Sequence, residues 1–284
     1  MGLVNPSESC EVLRDATCRE SVASTKTHSV REALDSLLRR CLHTELGTHL
    51  CSLLVRLMSH GVLSHRTQVL AGLDVKRLIA RISQRRRLVR PSKNRLHLGC
   101  GRHNVAGFLN VDLEGGDEQV DLACGHLPWV DSSFEVVVAQ HVIEHLEMTT
   151  ELIPLLREVR RVSEPGAELW LSCPDMEGIC RAYVQGDLAR FVLDKVLRCG
   201  SGCFETSPPQ NLLNYLFHQR GEHKNLFDFA LLRWTLEQTG FTSCTRTSEK
   251  QFLERFPGFP PRNDDLQSLY VRAVAGGTWE KDAR

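Results

Sequence analysis

The sequence predicts an α/β protein: a mostly parallel sheet covered by helices on both faces, preceded by a helical, basic N-terminal region. Three observations predict it. Beyond Arg95, short apolar runs of strand length alternate with amphipathic helical stretches, the order that produces parallel strands joined by helical crossovers. Within that region, Glu135-Val-Val-Val-Ala139 is too apolar to face water on either side, as a central strand must be. The chain has 284 residues, 42% of them hydrophobic, enough for one full α/β domain with an appendage.

The first 25 or so residues are rich in Ser, Thr and Cys and show no periodicity, as in loosely held termini. From Val30 the pattern turns helical, with Leu34, Leu37, Leu38, Cys41 and Leu42 on one face. Leu50–Met58 and Val69–Ile82 follow as two further apolar segments. Then comes a basic run of Lys76, Arg77, Arg81, Arg85, Arg86, Arg87, Arg90, Lys93 and Arg95 with no acid among them. Pro91-Ser92 marks a boundary, so two regions are expected, 1–94 and 95–284. The net charge of zero hides an asymmetry: residues 1–94 hold 16 basic and 8 acidic residues, the remainder 19 and 27. A nucleic-acid partner for the basic run is an alternative that is not favoured, because no aromatic residue interleaves the arginines.

In the second region strands are expected at Arg95–Leu98, Phe108–Val111, Gln119–Leu122, Phe134–Ala139, Glu168–Cys173, Thr242–Thr247 and Gln267–Ala273. Helices are expected at Thr149–Val162, around 176–199 and 210–217, and at Phe227–Thr239, with Pro165-Gly166 and Gly240 as stops. Trp129, Trp170 and Trp234 are expected in the core or in helix packing. No apolar stretch reaches the length of a membrane span, and Glu8, Glu11, Asp15 and Glu20 break up any secretory leader. Eleven dispersed cysteines do not form a disulfide framework, and Cys199-Gly-Ser-Gly-Cys203 has no second pair at zinc spacing. A cytoplasmic location is therefore expected.

The chemistry concentrates at the first strand and its neighbours. Leu96-His97-Leu98-Gly99-Cys100-Gly101 is a strand ending in a G-x-G turn, where missing side chains let backbone amides approach a ligand. A third glycine is missing, since position 104 is Asn104, and the acid that follows arrives early, at Asp112. That pattern argues for a nucleoside ligand without a pyrophosphate, its ribose hydroxyls on Asp112.

These segments, with Gly107-Phe-Leu-Asn-Val-Asp112, Val120-Asp121-Leu122, Leu127-Pro128, Asp131-Ser-Ser-Phe-Glu135, His141-Val-Ile-Glu144-His145-Leu146, Glu158-Val-Arg-Arg161-Val162 and Cys173-Pro174-Asp175, come in an order that resembles the class I S-adenosylmethionine-dependent methyltransferases, in particular small methyltransferases of the type 11 kind. The resemblance covers residues 95–284. It implies a Rossmann-like seven-stranded, mostly parallel sheet with its last strand antiparallel, S-adenosyl-L-methionine as cofactor, and methyl transfer to a small or medium-sized acceptor at oxygen or nitrogen. It also implies that Gly99, Cys100 and Gly101 pass under the methionine part of the cofactor, that Asp112 holds the ribose, that Asp121 and Leu122 flank the adenine, and that Gln140 and His141 face the sulfonium and acceptor. His97 departs from the family, standing where many relatives have an acid. A non-catalytic binding module on the same fold, or a nucleic-acid methyltransferase using the basic region, are the alternatives.

For a general base the candidates are His141, His145 and then His223, because imidazole titrates near neutrality. His141-Val-Ile-Glu144-His145 also reads as H-x-x-E-H, an inverted zinc-protease motif, but it follows a strand where that motif needs a helix. A divalent metal on Glu144 and His145, with a further ligand from His218 or His223, is a second alternative. The preferred reading makes Glu144 and His145 a structural pair, so no metal ligand is assigned. The segment Phe217–Lys224 is either a lid or a solvated connection.

Overall fold

The computed structural model describes residues 88–199 and 207–277, together with residues 73, 74, 76–78, 80, 81 and 84. The chain divides into two compact units, Met1–Ile79 and Ala80–Arg284. The expected helices between Val30 and Met58, the arginines Arg85–Arg87 and Cys203 lie outside the described residues.

The second unit carries the sheet. Its strands are β1 (Arg95–Leu98), β2 (Leu109–Asp112), β3 (Glu118–Gln119), β4 (Phe134–Gln140), β5 (Ser163–Pro174), β6 (Phe241–Thr247) and β7 (Ser268–Ala275). They lie in the order β3-β2-β1-β4-β5-β7-β6. The first five are mutually parallel, and β7 is antiparallel to both of its neighbours. This is the Rossmann-like arrangement that the sequence implies. Around it stand α1 (Ile153–Val162), α2 (Met176–Val184), α3 (Leu188–Cys199), α4 (Gln210–His218), α5 (Phe229–Glu237) and α6 (Glu249–Arg255).

Alternation along the strands builds two cores, since successive side chains point to opposite faces. On one face Leu96, Leu98, Leu109, Val111, Val137 and Ala139 pack with Leu155 and Val159 of α1 and Leu232 and Leu236 of α5. On the other, Val136, Val138 and Trp170 meet Phe252, Phe256 and Phe259, largely through edge-to-face ring contacts. A third cluster joins α2, α3 and α4 through Ile179, Phe191, Leu212 and Leu216.

Arg161 of α1 ties the helix to the loop before β4. Its guanidinium donates to the Leu127 and Trp129 carbonyls and to Asp131 and Glu158, while the Leu127 N–H donates to Glu158. The motif residues around Leu127, Asp131, Glu158 and Arg161 therefore form one polar joint.

Several expectations are corrected. Gln119–Leu122 is not a strand: β3 is two residues long, and Asp121 caps a 3-10 turn, Leu122–Cys124, by accepting from the Ala123 N–H. The expected helix from Thr149 opens with a π-helical turn, Met148–Leu152, before α1 begins with Pro154 in its first turn, a position where proline's missing N–H is harmless. The stretch 176–199 divides at Gly186, whose φ of 73° ends the helical path. Phe227 bridges to Asp175 rather than starting α5. Trp234 of α5 is half exposed, whereas Trp129 and Trp170 are buried. Helix α6, capped by Ser248 accepting from the Gln251 N–H, was not expected. No helix among the described residues is long and apolar enough to cross a membrane.

Candidate active site

Parallel strands β2, β1 and β4 end on the same side, and the connections leave β1 in opposite directions around that end, where open α/β sheets bind ligands. Gly99 and Gly101 follow β1 with φ of 64° and 56°, a left-handed conformation that penalises any side chain. Their surroundings differ. A Cβ on Gly99 would collide with Val142, in the turn that follows β4, whereas a Cβ on Gly101 would point into open space. Between them Cys100 is buried, its N–H bonded to the Val111 carbonyl. Burial, with Asp112 nearby, pushes its thiol up to about 11.

Asp112 ends β2 beside this turn. Its Oδ2 accepts from the Gly101 N–H at 2.8 Å and its Oδ1 from the Leu113 N–H at 2.6 Å. A carboxylate accepts about four hydrogen bonds, so each oxygen retains capacity. His97, two residues before Gly99, is buried, bonded to Asn110 and edge-on to Phe259. Burial lowers its pKa to about 4 despite the Asn110 bond, so the ring is neutral near pH 7.

Asp121 has other partners. Its Oδ2 pairs with Arg81 at 2.6 Å, its Oδ1 caps the following turn, and Gln84 bonds its backbone N–H and carbonyl. Leu122 is buried behind it. Arg81 and Gln84 thus belong to the sheet unit, which starts upstream of Arg95. Lys93 and Arg95 of the basic run pair with Asp117 and Glu135.

The end of β4 collects the polar groups. Gln140 pairs in register with Ser172 of β5. The Gln140 Nε2 and the Ser172 Oγ are both buried without a hydrogen-bond partner, as is Oε2 of Glu144; unsatisfied buried groups of this kind call for an explanation. His141 adopts a φ of 55°. Its Nδ1 lies 3.1 Å from Glu144, and its Nε2 lies 3.0 Å from Asp264 and 3.1 Å from Ser268. Burial alone would lower the His141 pKa, but Asp264 and Glu144 outweigh it and hold the ring protonated above its ordinary value. Asp264 also accepts from the Tyr270 hydroxyl and from Arg262. Burial would raise its pKa; the bond and charge of His141 instead hold it well below the ordinary carboxylate range.

His145 and His223 face each other, ring centroids 5.0 Å apart. Nδ1 of His145 donates to the Glu222 carbonyl and Nδ1 of His223 to the Leu216 carbonyl. A carbonyl only accepts, so in each neutral ring the proton is on Nδ1 and Nε2 keeps its lone pair. Burial lowers the His223 pKa. His218 is exposed and is not part of the convergent group Glu144, His145 and His223. Asp264, Ser268 and Tyr270 were not singled out from the sequence, where Pro257–Pro261 just upstream reads as a turn.

Residues 108–171 match the family model of a methyltransferase domain. The chain thus carries a methyltransferase domain over that stretch. Among solved structures, it is similar to an S-adenosylmethionine-dependent methyltransferase from Methanosarcina mazei, at 18% identity over 65% of this chain and 92% of that one, with a TM-score of 0.38. A second, from Mesorhizobium loti, is 18% identical over 68% and 96%, with a TM-score of 0.36. A third, phosphoethanolamine N-methyltransferase 2 from Haemonchus contortus, is 12% identical over 72% and 53%, also at 0.36. No curated protein matches the chain.

Proposed function

We propose that the chain is a class I S-adenosylmethionine-dependent methyltransferase that takes S-adenosyl-L-methionine as cofactor and transfers its methyl group to oxygen or nitrogen of a small or medium-sized acceptor, in the cleft at the ends of β1, β2 and β4. The observation that carries this reading is the pairing of Gly101 with Asp112 beside open space, with an unpartnered Gln140 Nε2 at the end of the next strand but one. These groups fit the cofactor. The spare lone pairs of Asp112 suit ribose hydroxyls, the bared backbone of Gly99, Cys100 and Gly101 suits the methionine portion, and Gln140 offers an unused donor. Leu122 supplies an apolar wall, and Asp121, bound by Arg81, orders that wall.

The bound cofactor supplies an electrophilic methyl group on a sulfonium. The chain's own contribution is chiefly alignment, which in favourable intramolecular models is worth roughly 7–11 kcal/mol. His145 or His223 takes the acceptor proton through Nε2. His141, flanked by two carboxylates, is a positioning residue for Glu144 and for the end of β4. The catalytic unit runs from Ala80, and the unpaired thiols of Cys100 and Cys173 agree with a reducing, cytoplasmic setting.

A screen of metabolite extracts with methyl-labelled S-adenosyl-L-methionine tests the proposal. Label should pass to an extract component with the wild type and not with Gly99→Arg. Equal labelling by both proteins would refute this placement.

A further inference from the structure

We propose that Glu144, His145 and His223 bind one divalent transition-metal ion. Among the described residues these three bring one ligand atom each within 4.8 Å of the others. Glu144 and His145 are consecutive in the 3-10 turn after β4, while His223 arrives from a loop far along the chain. That loop is fastened to the turn: the Lys224 and Asn225 N–H groups donate to the Glu144 carbonyl at 2.8 and 3.1 Å, the Asn225 side chain binds the Leu146 carbonyl, and Lys224 pairs with Glu151.

Each member is prepared as a ligand. Both imidazoles are oriented by an Nδ1–H on a backbone carbonyl, the arrangement that fixes metal-binding histidines with Nε2 free. Glu144 is 1% exposed, and His141 occupies its Oε1 while its Oε2 has no partner. Leaving a buried carboxylate oxygen unmatched is costly, and a cation between it and the two histidines removes that cost. Two imidazoles and one carboxylate suit ions of the manganese-to-zinc series, and three protein ligands leave positions open for water or an acceptor oxygen. Val142, which packs on Gly99, connects this turn to the glycine loop, so the ion would sit beside the cofactor cleft. An ion held this way would occupy the Nε2 lone pairs assigned above to the acceptor proton, so His145 or His223 would serve as base only in the metal-free protein. The assignment stands on these residues and does not depend on the acceptor.

Titration of the metal-free full chain with Co²⁺ tests it, because ligand-field bands report nitrogen and oxygen ligation while thiolate charge-transfer bands reveal binding at any of the eleven cysteines. One cobalt per chain is expected, without a thiolate band. Glu144→Gln and His223→Asn should each weaken it about tenfold or more, and His218→Asn should leave it unchanged. Because Glu144→Gln also removes the negative charge beside His141, circular dichroism checks its fold, and the half-buried His223 gives an independent variant. No bound cobalt, a thiolate spectrum, or folded variants that bind like the wild type would overturn the assignment. Calorimetry of S-adenosylhomocysteine with the metal-free protein reads the cofactor site separately, so either reading can fail alone.

Discussion

Gly101 and Asp112, eleven residues apart in sequence and on neighbouring strand ends, are joined by a 2.8 Å hydrogen bond from backbone N–H to carboxylate. The bond aims Asp112 at the glycine turn, and the second N–H, from Leu113, holds the other oxygen. The carboxylate is thus oriented before any ligand arrives, which lowers the ordering cost of binding.

The two glycines should respond differently to alanine. Gly99→Ala drives a methyl group into Val142 on top of a left-handed backbone, and should cost about 2–4 kcal/mol in urea unfolding. Adding Val142→Ala should recover part of that loss. Gly101→Ala meets only the backbone penalty, about 1–2 kcal/mol, yet its methyl group projects into the cleft and should weaken S-adenosylhomocysteine binding more than it weakens the fold.

Two histidines should give the stability profile opposite slopes. His97 falls from 6.5 unfolded to about 4 folded. The unfolded chain then binds the extra proton between those values, so stability drops as pH falls from 6.5 to 4, by about 3 kcal/mol. His141 is raised, so its contribution is complete below its unfolded pKa and is lost as pH rises through the folded value. Urea midpoints measured from pH 4 to 9 should lose their acid slope in His97→Asn and their alkaline slope in His141→Gln. Unaltered slopes would remove these rings from the account.

Arg81→Ala should destabilise the sheet unit by about 1–3 kcal/mol, because it strips one partner from a carboxylate that is 1% exposed. Arg233→Ala, which breaks an exposed pair with Glu237, should have no measurable effect. Comparable urea midpoints for the two variants would show that Asp121 does not depend on Arg81.

The fold was legible in the sequence wherever period-2 and period-3.6 patterns were strong: β1, β4, β5 and α1 fall close to where the alternation places them. The polar joint at Arg161 was visible as a motif but not as a contact, since its partners at Leu127 and Asp131 lie thirty residues away. The third strand was misplaced because Val120 and Leu122 are apolar for a different reason: they pack into the main core while Asp121 caps a turn. The glycines and Asp112 could be read locally, as a turn and a strand end. His141 could not, because its restraint comes from Asp264 and Ser268, more than 120 residues on, in a segment whose prolines signalled only turns. Helix α6 was hidden for another reason: its seven residues are too few for a clear period.

Calorimetric titration of S-adenosylhomocysteine into the full chain, wild type against Asp112→Ala, tests the central claim most directly. The account predicts one site per chain in the wild type and a loss of about tenfold to a hundredfold in affinity for the variant, the worth of hydrogen bonds to a charged group, with the fold retained by circular dichroism. Equal affinity in the two proteins would contradict it.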